Sequence, residues 1–218
     1  MKRREFSLSA AGAAAASALA MSGQNVLAQG RKPEEGTDFL SIGNPAPTEA
    51  PAGKIEVVEF FWYSCPHCNA FEPKLEAWIK AAPKDVFIRR VPVAFRDDFV
   101  PQQRLFYTLE AMNKLDDLHR KVFNAIHLER QKLDTQDTIG AWVEKQGVDK
   151  TKFLELYNSF SIQTKARKGS QLQDAFKVQG VPALGIAGRF YTDGSQAGNM
   201  DKALVVTDYL IAEVRKGR

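Results

Sequence analysis

Cysteine is almost missing from this chain. Among 218 residues there are two, Cys65 and Cys68, and no third thiol that either could pair with. That scarcity excludes a disulfide-stapled scaffold and a site built from four thiolates. Histidine is also scarce, at three: His67, His119 and His127. After residue 30 no apolar run approaches the roughly 20 residues that a membrane-spanning helix needs. No dense Lys/Arg stripe interleaved with aromatics occurs, so nucleic acid is not an expected partner. No internal repeat is found. What remains, 44% hydrophobic and 26% charged, is ordinary globular composition, enough for one sizeable core or one domain with a large insertion.

The N-terminus reads differently from the rest. "MKRREFSLSAAGAAAASALAMSGQNVLAQG" begins with Lys2, Arg3 and Arg4 and continues as an alanine-rich apolar stretch. It ends in small-residue cleavage sites, at Ala20 or Ala28. This is the anatomy of a cleaved export signal over residues 1–28. "RREFSL" is similar to a twin-arginine signal, although Sec signals also contain paired arginines. Removing residues 1–28 takes away three basic residues and Glu5, and lowers the formal charge from +4 to about +2.

Residues 29–53 are rich in proline and glycine and read as an extended segment, with at most one short strand near Phe39 to Ile42. "KIEVVEFFWYS" follows, β-branched and aromatic almost throughout, as a strand buried on both faces should be. A helix is expected from the cysteines onward, because Cys68, Phe71, Leu75, Trp78 and Ile79 recur at helical spacing. Pro66 suits its first position, and Pro73 should kink it. "DVFIRRVPVAF" (85–95) is a second strand. Residues 99–170 carry apolar residues at i+3 and i+4 and no strong strand, and so read as an inserted helical block. From 171 onward come a strand hairpin, with Gly188-Arg189 at its turn, and a closing amphipathic helix over 202–216. The order implies an α/β sheet with helices packed on its faces.

The cysteine pair admits three chemistries. As a structural disulfide, a Cys65–Cys68 bridge closes almost no loop and restrains little of the unfolded chain. As a metal site, Cys-x-x-Cys supplies half the ligands of a closed zinc centre, and His67, between the thiols, is badly aimed to help. Covalent haem wants a histidine at position 69, where the chain has Asn69. The third is thiol–disulfide exchange, which needs one sulfur ionised. Cys65 falls at the N-cap of the expected helix, where the N–H groups of His67 and Cys68 and the helix dipole favour negative charge. His67 adds a donor or a positive charge. Cys68, one turn further, points toward the sheet. The first sulfur is then the nucleophile and the second resolves the mixed disulfide. A stabilised thiolate stabilises the reduced form, which makes the disulfide an oxidant.

"EFFWYSCPHCNAFEP", with "GVPA" about 115 residues further on, resembles the DsbA family of periplasmic thiol:disulfide oxidoreductases. The resemblance implies a thioredoxin-like fold with a large inserted helical domain, its halves at 54–98 and 171–218 around an insert at 99–170. It implies donation of disulfides to reduced, partly folded exported proteins, reoxidation by a quinone-linked, DsbB-like membrane oxidase, a monomer, and no cofactor beyond the Cys65–Cys68 disulfide. Val181-Pro182 matches the family's cis-proline loop beside the sulfurs. There the proline presents no donor, and the Val181 main chain is left to an extended substrate. Trp62, Pro66 and Val181 would supply apolar contact. Glu59 aligns with an acid beneath the active site that relays a proton to Cys68, and Glu72 with a second acid that a solvated helix face would equally explain. His119 and His127 have no motif around them and read as surface or bundle residues. Alternatives are a disulfide reductase or isomerase, and a non-catalytic peptide-binding chaperone. Isomerases of the superfamily usually add an N-terminal dimerisation domain, for which the segment of about 25 residues after Ala28 is too short.

Overall fold

A computed structural model describes residues 31–217, and the export-signal expectation for residues 1–28 lies outside them. The unit described here begins at Pro33. Leu40–Ser41 (β1) is the short strand expected near Phe39 to Ile42. Ile55–Phe61 (β2) carries the stiff β-branched and aromatic residues that fit a pleated surface. Then come Pro66–Ala81 (α1) and Val86–Pro92 (β3). β3 runs parallel to β2, from Ile55 opposite Val86 to Phe61 opposite Pro92.

Five helices follow: Val100–Ala111 (α2), Leu115–His127 (α3), Gln136–Lys145 (α4), Lys150–Tyr157 (α5) and Phe160–Ala175 (α6). The sequence places the end of this block at 170, but α6 continues to Ala175. Ala183–Ile186 (β4), Phe190–Asp193 (β5), the single turn Gly194–Ala197 (α7) and Met200–Arg215 (α8) complete the chain. The strands lie in the order β1-β5-β4-β2-β3, antiparallel except for β2 against β3.

Two local expectations need correction. The β4–β5 turn has its corners at Ala187 (φ 53°) and Gly188 (φ 64°), not at Gly188-Arg189. Arg189 N–H closes the turn onto the Ile186 carbonyl at 2.9 Å. Glycine at 188 supplies the positive φ that a hairpin with right-handed twist requires. The second concerns β2, which stops at Phe61 instead of running on through Trp62, Tyr63 and Ser64. Tyr63 and Ser64 spend their hydrogen bonds on the helical block, as described below, and the Trp62 carbonyl accepts from Cys65 N–H.

Pairing on both sides makes β2 central, and its alternation splits the core. Val57 packs with Phe71 and Leu75 of α1 and Leu210 of α8 on one face. Val58 and Phe60 pack with Leu172 and Phe176 on the other. Phe61, at the strand's end, belongs to the core of the helical block, which also takes in Cys65 and Cys68. The cysteine turn is therefore the seam between sheet and insert. Within α1, Pro73 has no N–H for the carbonyl of Asn69. Arg120 of α3 supplies a donor to that carbonyl at 3.3 Å.

Candidate active site

Cys65 is the N-cap of α1, with extended backbone (φ −79°, ψ 117°), and Pro66 occupies the first helical turn. The Cys68 N–H donates to the Cys65 sulfur at 3.3 Å. Both cysteines are free thiols. Their surroundings differ. Cys65 retains 7% of its surface, Cys68 none. The Cys65 thiol is pulled down from 9.0 to about 6, first by a hydrogen bond from the Cys68 side chain, against a burial penalty, and then by the N–H groups of Cys68 and His67 and the His67 charge. Cys68 moves strongly the other way, because burial disfavours its charge and its proton is held toward Cys65. Pro66 and His67 are exposed at the surface beside the sulfurs.

Val181-Pro182 comes against this pair from the far end of the chain. Its peptide bond is cis, and Pro182 is buried. The Cys65 thiol donates to the Val181 carbonyl at 3.4 Å. The expectation that the Val181 main chain is left to substrate is thus corrected for its carbonyl, which the thiol already engages. Ionisation of Cys65 removes that donor and releases the carbonyl. Trp62 is half-buried, stacked on Phe99 with ring centroids 3.9 Å apart, and packs with Val181 in the same apolar clusters.

Behind the sulfurs lies a buried charge cluster. Glu59 on β2 is 1% exposed, and Arg90 on β3, its cross-strand partner, donates to it at 3.0 Å. The same guanidinium reaches Glu72 and Glu76 of α1, each at 2.6 Å. One arginine therefore serves three carboxylates. Burial first, and then the Glu72 charge, push Glu59 up to about 8 despite Arg90. Its charge also acts on Cys68. Burial opposes the Glu72 charge, but His119 and Arg90 outweigh it and hold Glu72 below the usual carboxylate range. Glu72, which a solvated helix face explained equally well, is in fact 1% exposed.

Of the two readings for the histidines of the insert, surface or bundle, His119 takes the second: it is 6% exposed, and its Nδ1 lies 2.8 Å from the Tyr63 hydroxyl. Its Nε2 lies 3.4 Å from Glu72. His127 Nε2 donates to the Tyr63 carbonyl at 2.8 Å. Ser64 is held as well, giving its N–H to Gln102 Oε1 (3.2 Å) and accepting from Gln102 Nε2 (2.7 Å). Sequence reasoning passed over Arg90 and Gln102 and found no role for His119 and His127. The only advance signal was an arginine inside a strand, opposite a glutamate inside another. Among the described residues no group of three or more His, Cys, Asp or Glu is arranged to hold a metal ion.

Comparison with known proteins agrees with this geometry. The model of the DSBA-like thioredoxin domain matches residues 56–205. The thiol:disulfide interchange protein DsbA of Bordetella parapertussis is 44% identical over 200 residues, covering 91% of this chain and 95% of that protein. That of Burkholderia cepacia is 40% identical over 183 residues, covering 84% and 86%. The crystal structure of Pseudomonas aeruginosa DsbA superposes with a TM-score of 0.79 at 41% identity, over 84% of this chain and 94% of that one. A thiol held at a helix N-terminus beside a buried partner thus sits in a chain related along nearly its whole length to interchange proteins, and the chain belongs to the DSBA-like thioredoxin domain family.

Proposed function

We infer that the protein is a thiol:disulfide oxidoreductase that donates its Cys65–Cys68 disulfide to newly exported proteins. The observation that carries this is the inequality of the pair: an N-cap sulfur brought down to about 6 beside a fully buried sulfur shifted up. In the oxidised protein a substrate thiolate attacks the Cys65 sulfur, the one with exposed surface. The Cys65–Cys68 bond breaks, a mixed disulfide forms, and Cys68 leaves and takes a proton. A second substrate thiolate then attacks the substrate's own sulfur. Cys65 departs as a thiolate that the α1 N-terminus, Cys68 and His67 stabilise. Two electrons pass from two substrate thiols to the cysteine pair. A good leaving group at Cys65 drives the sequence toward substrate disulfide, so the protein is an oxidant. In the reduced protein the same sulfur is the nucleophile that meets the reoxidant, and Cys68 resolves the mixed disulfide.

The remaining assignments follow from the same chemistry. Glu59, poised near neutrality, relays the Cys68 proton. Pro66 begins α1 without an unpaired N–H. Val181 and Pro182, with Trp62, form the contact surface for an extended substrate. The setting is the periplasm, reached through the signal over residues 1–28. Reoxidation is by a quinone-linked, DsbB-like membrane oxidase, and the working unit is a monomer in which a helical domain over 99–175 interrupts the thioredoxin-like halves.

Equilibration with glutathione tests the reading. The pair should be markedly more oxidising than the glutathione couple. A pair as reducing as glutathione overturns the oxidase and favours a reductase.

A further inference from the structure

Three residues lie between the end of β2 and the α1 N-cap: Trp62, Tyr63 and Ser64. They set where the Cys65 sulfur sits. Tyr63 is fully buried, with its ring edge-on to Phe61 and Phe123 at centroid distances of 5.1 Å. Two side chains of one insert helix grip it at opposite ends. His119, in the middle of α3, meets its hydroxyl at 2.8 Å, and His127, at the end of α3, donates to its carbonyl at 2.8 Å. Cys65 N–H in turn donates to the Trp62 carbonyl at 3.0 Å, so movement at residues 62–63 is passed on to Cys65.

We propose that His119 and His127 are positioning residues for the reaction: by holding Tyr63 at hydroxyl and carbonyl, they fix the turn that seats the Cys65 sulfur over the N-terminus of α1.

The chemistry of each contact fits. A carbonyl only accepts, so His127 carries its proton on Nε2. Burial, offset in part by Glu72, keeps His119 below its ordinary value, and burial keeps the Tyr63 hydroxyl protonated. A neutral His119 then accepts a hydrogen bond from the Tyr63 hydroxyl at Nδ1, while its Nε2 faces Glu72 at 3.4 Å. The groups that face His119 are Glu72, Tyr63 and, through Glu72, Arg90 and Glu76. A line of close polar contacts thus runs from the turn before Cys65, through the Tyr63–His119 hydrogen bond and the 3.4 Å approach of His119 Nε2 to Glu72, into the cluster that holds Glu59. Gln102 of α2 holds Ser64 in the same turn, so the insert grips two successive residues before the nucleophile. Hydrogen bonds at a helix N-terminus weaken steeply when the geometry loosens. A small displacement of the N-cap therefore costs the thiolate its stabilisation.

This inference rests on Cys65 being the sulfur that ionises, and the experiment separates the two. Thiolate absorbance against pH and the equilibrium constant with glutathione are measured for wild type, His127→Leu, His127→Gln and Tyr63→Phe. Loss of either contact should raise the Cys65 midpoint by about one unit and lower the equilibrium constant about tenfold, one unit being a factor of ten. His127→Gln, which keeps a donor, should return both toward wild type. A merely structural role predicts equal destabilisation of both redox forms with midpoint and constant unmoved, and that result overturns the proposal. If His127→Leu does not fold, Tyr63→Phe, which preserves shape, decides alone. A wild-type midpoint near 6 with unmoved variants removes the clamp and leaves the oxidase. A wild-type midpoint near 9 removes both.

Discussion

Cys65 and Cys68 are the same side chain three positions apart, and their difference comes wholly from place. Cys65 faces two N–H groups and an imidazole, and Cys68 faces the apolar core. At neutral pH the first is mainly thiolate and the second thiol. The thiolate is the attacking species, so the single-cysteine variants should differ sharply. Glutathione disulfide at pH 7 should modify Cys68→Ala, through Cys65, on the order of ten times or more faster than it modifies Cys65→Ala. The lower basicity of Cys65 makes each thiolate a weaker nucleophile, which is why the expected ratio is not larger still. Mass spectrometry of the mixed disulfide reads the rates, and faster modification of Cys65→Ala would reverse the roles.

At the scale of elements, β3 and α1 are joined to β2 by one guanidinium. Arg90 meets Glu59, Glu72 and Glu76, of which Glu59 and Glu72 are buried carboxylates. Breaking a buried ion pair from one side strands a charge, at a cost of about 3–5 kcal/mol. Arg90→Met should therefore lose stability of that order in urea unfolding at pH 7. The deficit should shrink at pH 5, because without Arg90 the carboxyls titrate higher and shed their stranded charge by taking protons. A variant as stable as wild type would show that the cluster contributes nothing net. Packing constrains this region too: a Cβ on Gly185 of β4 would overlap the buried Phe176 ring, so the strand approaches α6 only as glycine.

For the whole molecule, the redox state and the fold are linked. In the reduced chain the folded Cys65 value, about 6, lies below the ordinary 9.0. A lowered value stabilises the fold above the unfolded value, and that stabilisation is lost as pH falls through the folded one. Cys68 has the opposite sign: its raised value favours the fold below about 9 and erodes it above. The oxidised chain has neither contribution, and its bridge closes too short a loop to compensate. The reduced form should therefore be the more stable one in urea at pH 7.5. Its advantage should grow from about pH 6 toward pH 9 and fade at more alkaline pH. Parallel unfolding of both redox forms across that range measures it. Greater stability of the disulfide form at pH 7.5 would return the pair to a structural role.

The local order of the fold was legible in advance, because it rests on local rules. The apolar run of β2, the helical spacing after Cys68 and the prolines at 66 and 73 each state their structure within one turn or one strand. The unequal chemistry of Cys65 and Cys68 was equally legible, since an N-cap and a position one turn inside differ whatever surrounds them. The turn corners at Ala187-Gly188 were missed by one residue, because both glycine and its neighbour take positive φ once the strands fix the register. The burial of Glu59 was legible from its apolar strand, but that of Glu72 and His119 was not, since an acid or a histidine on a helix carries no local sign of what will cover it. Their partners come from β3 and α3, 31 residues from Glu59 to Arg90 and 56 from Tyr63 to His119. The sequence by itself determined a thiol pair primed for exchange. Only tertiary packing decided what holds that pair in place, because a hydrogen bond between distant segments exists only where the folded chain brings donor and acceptor within about 3 Å.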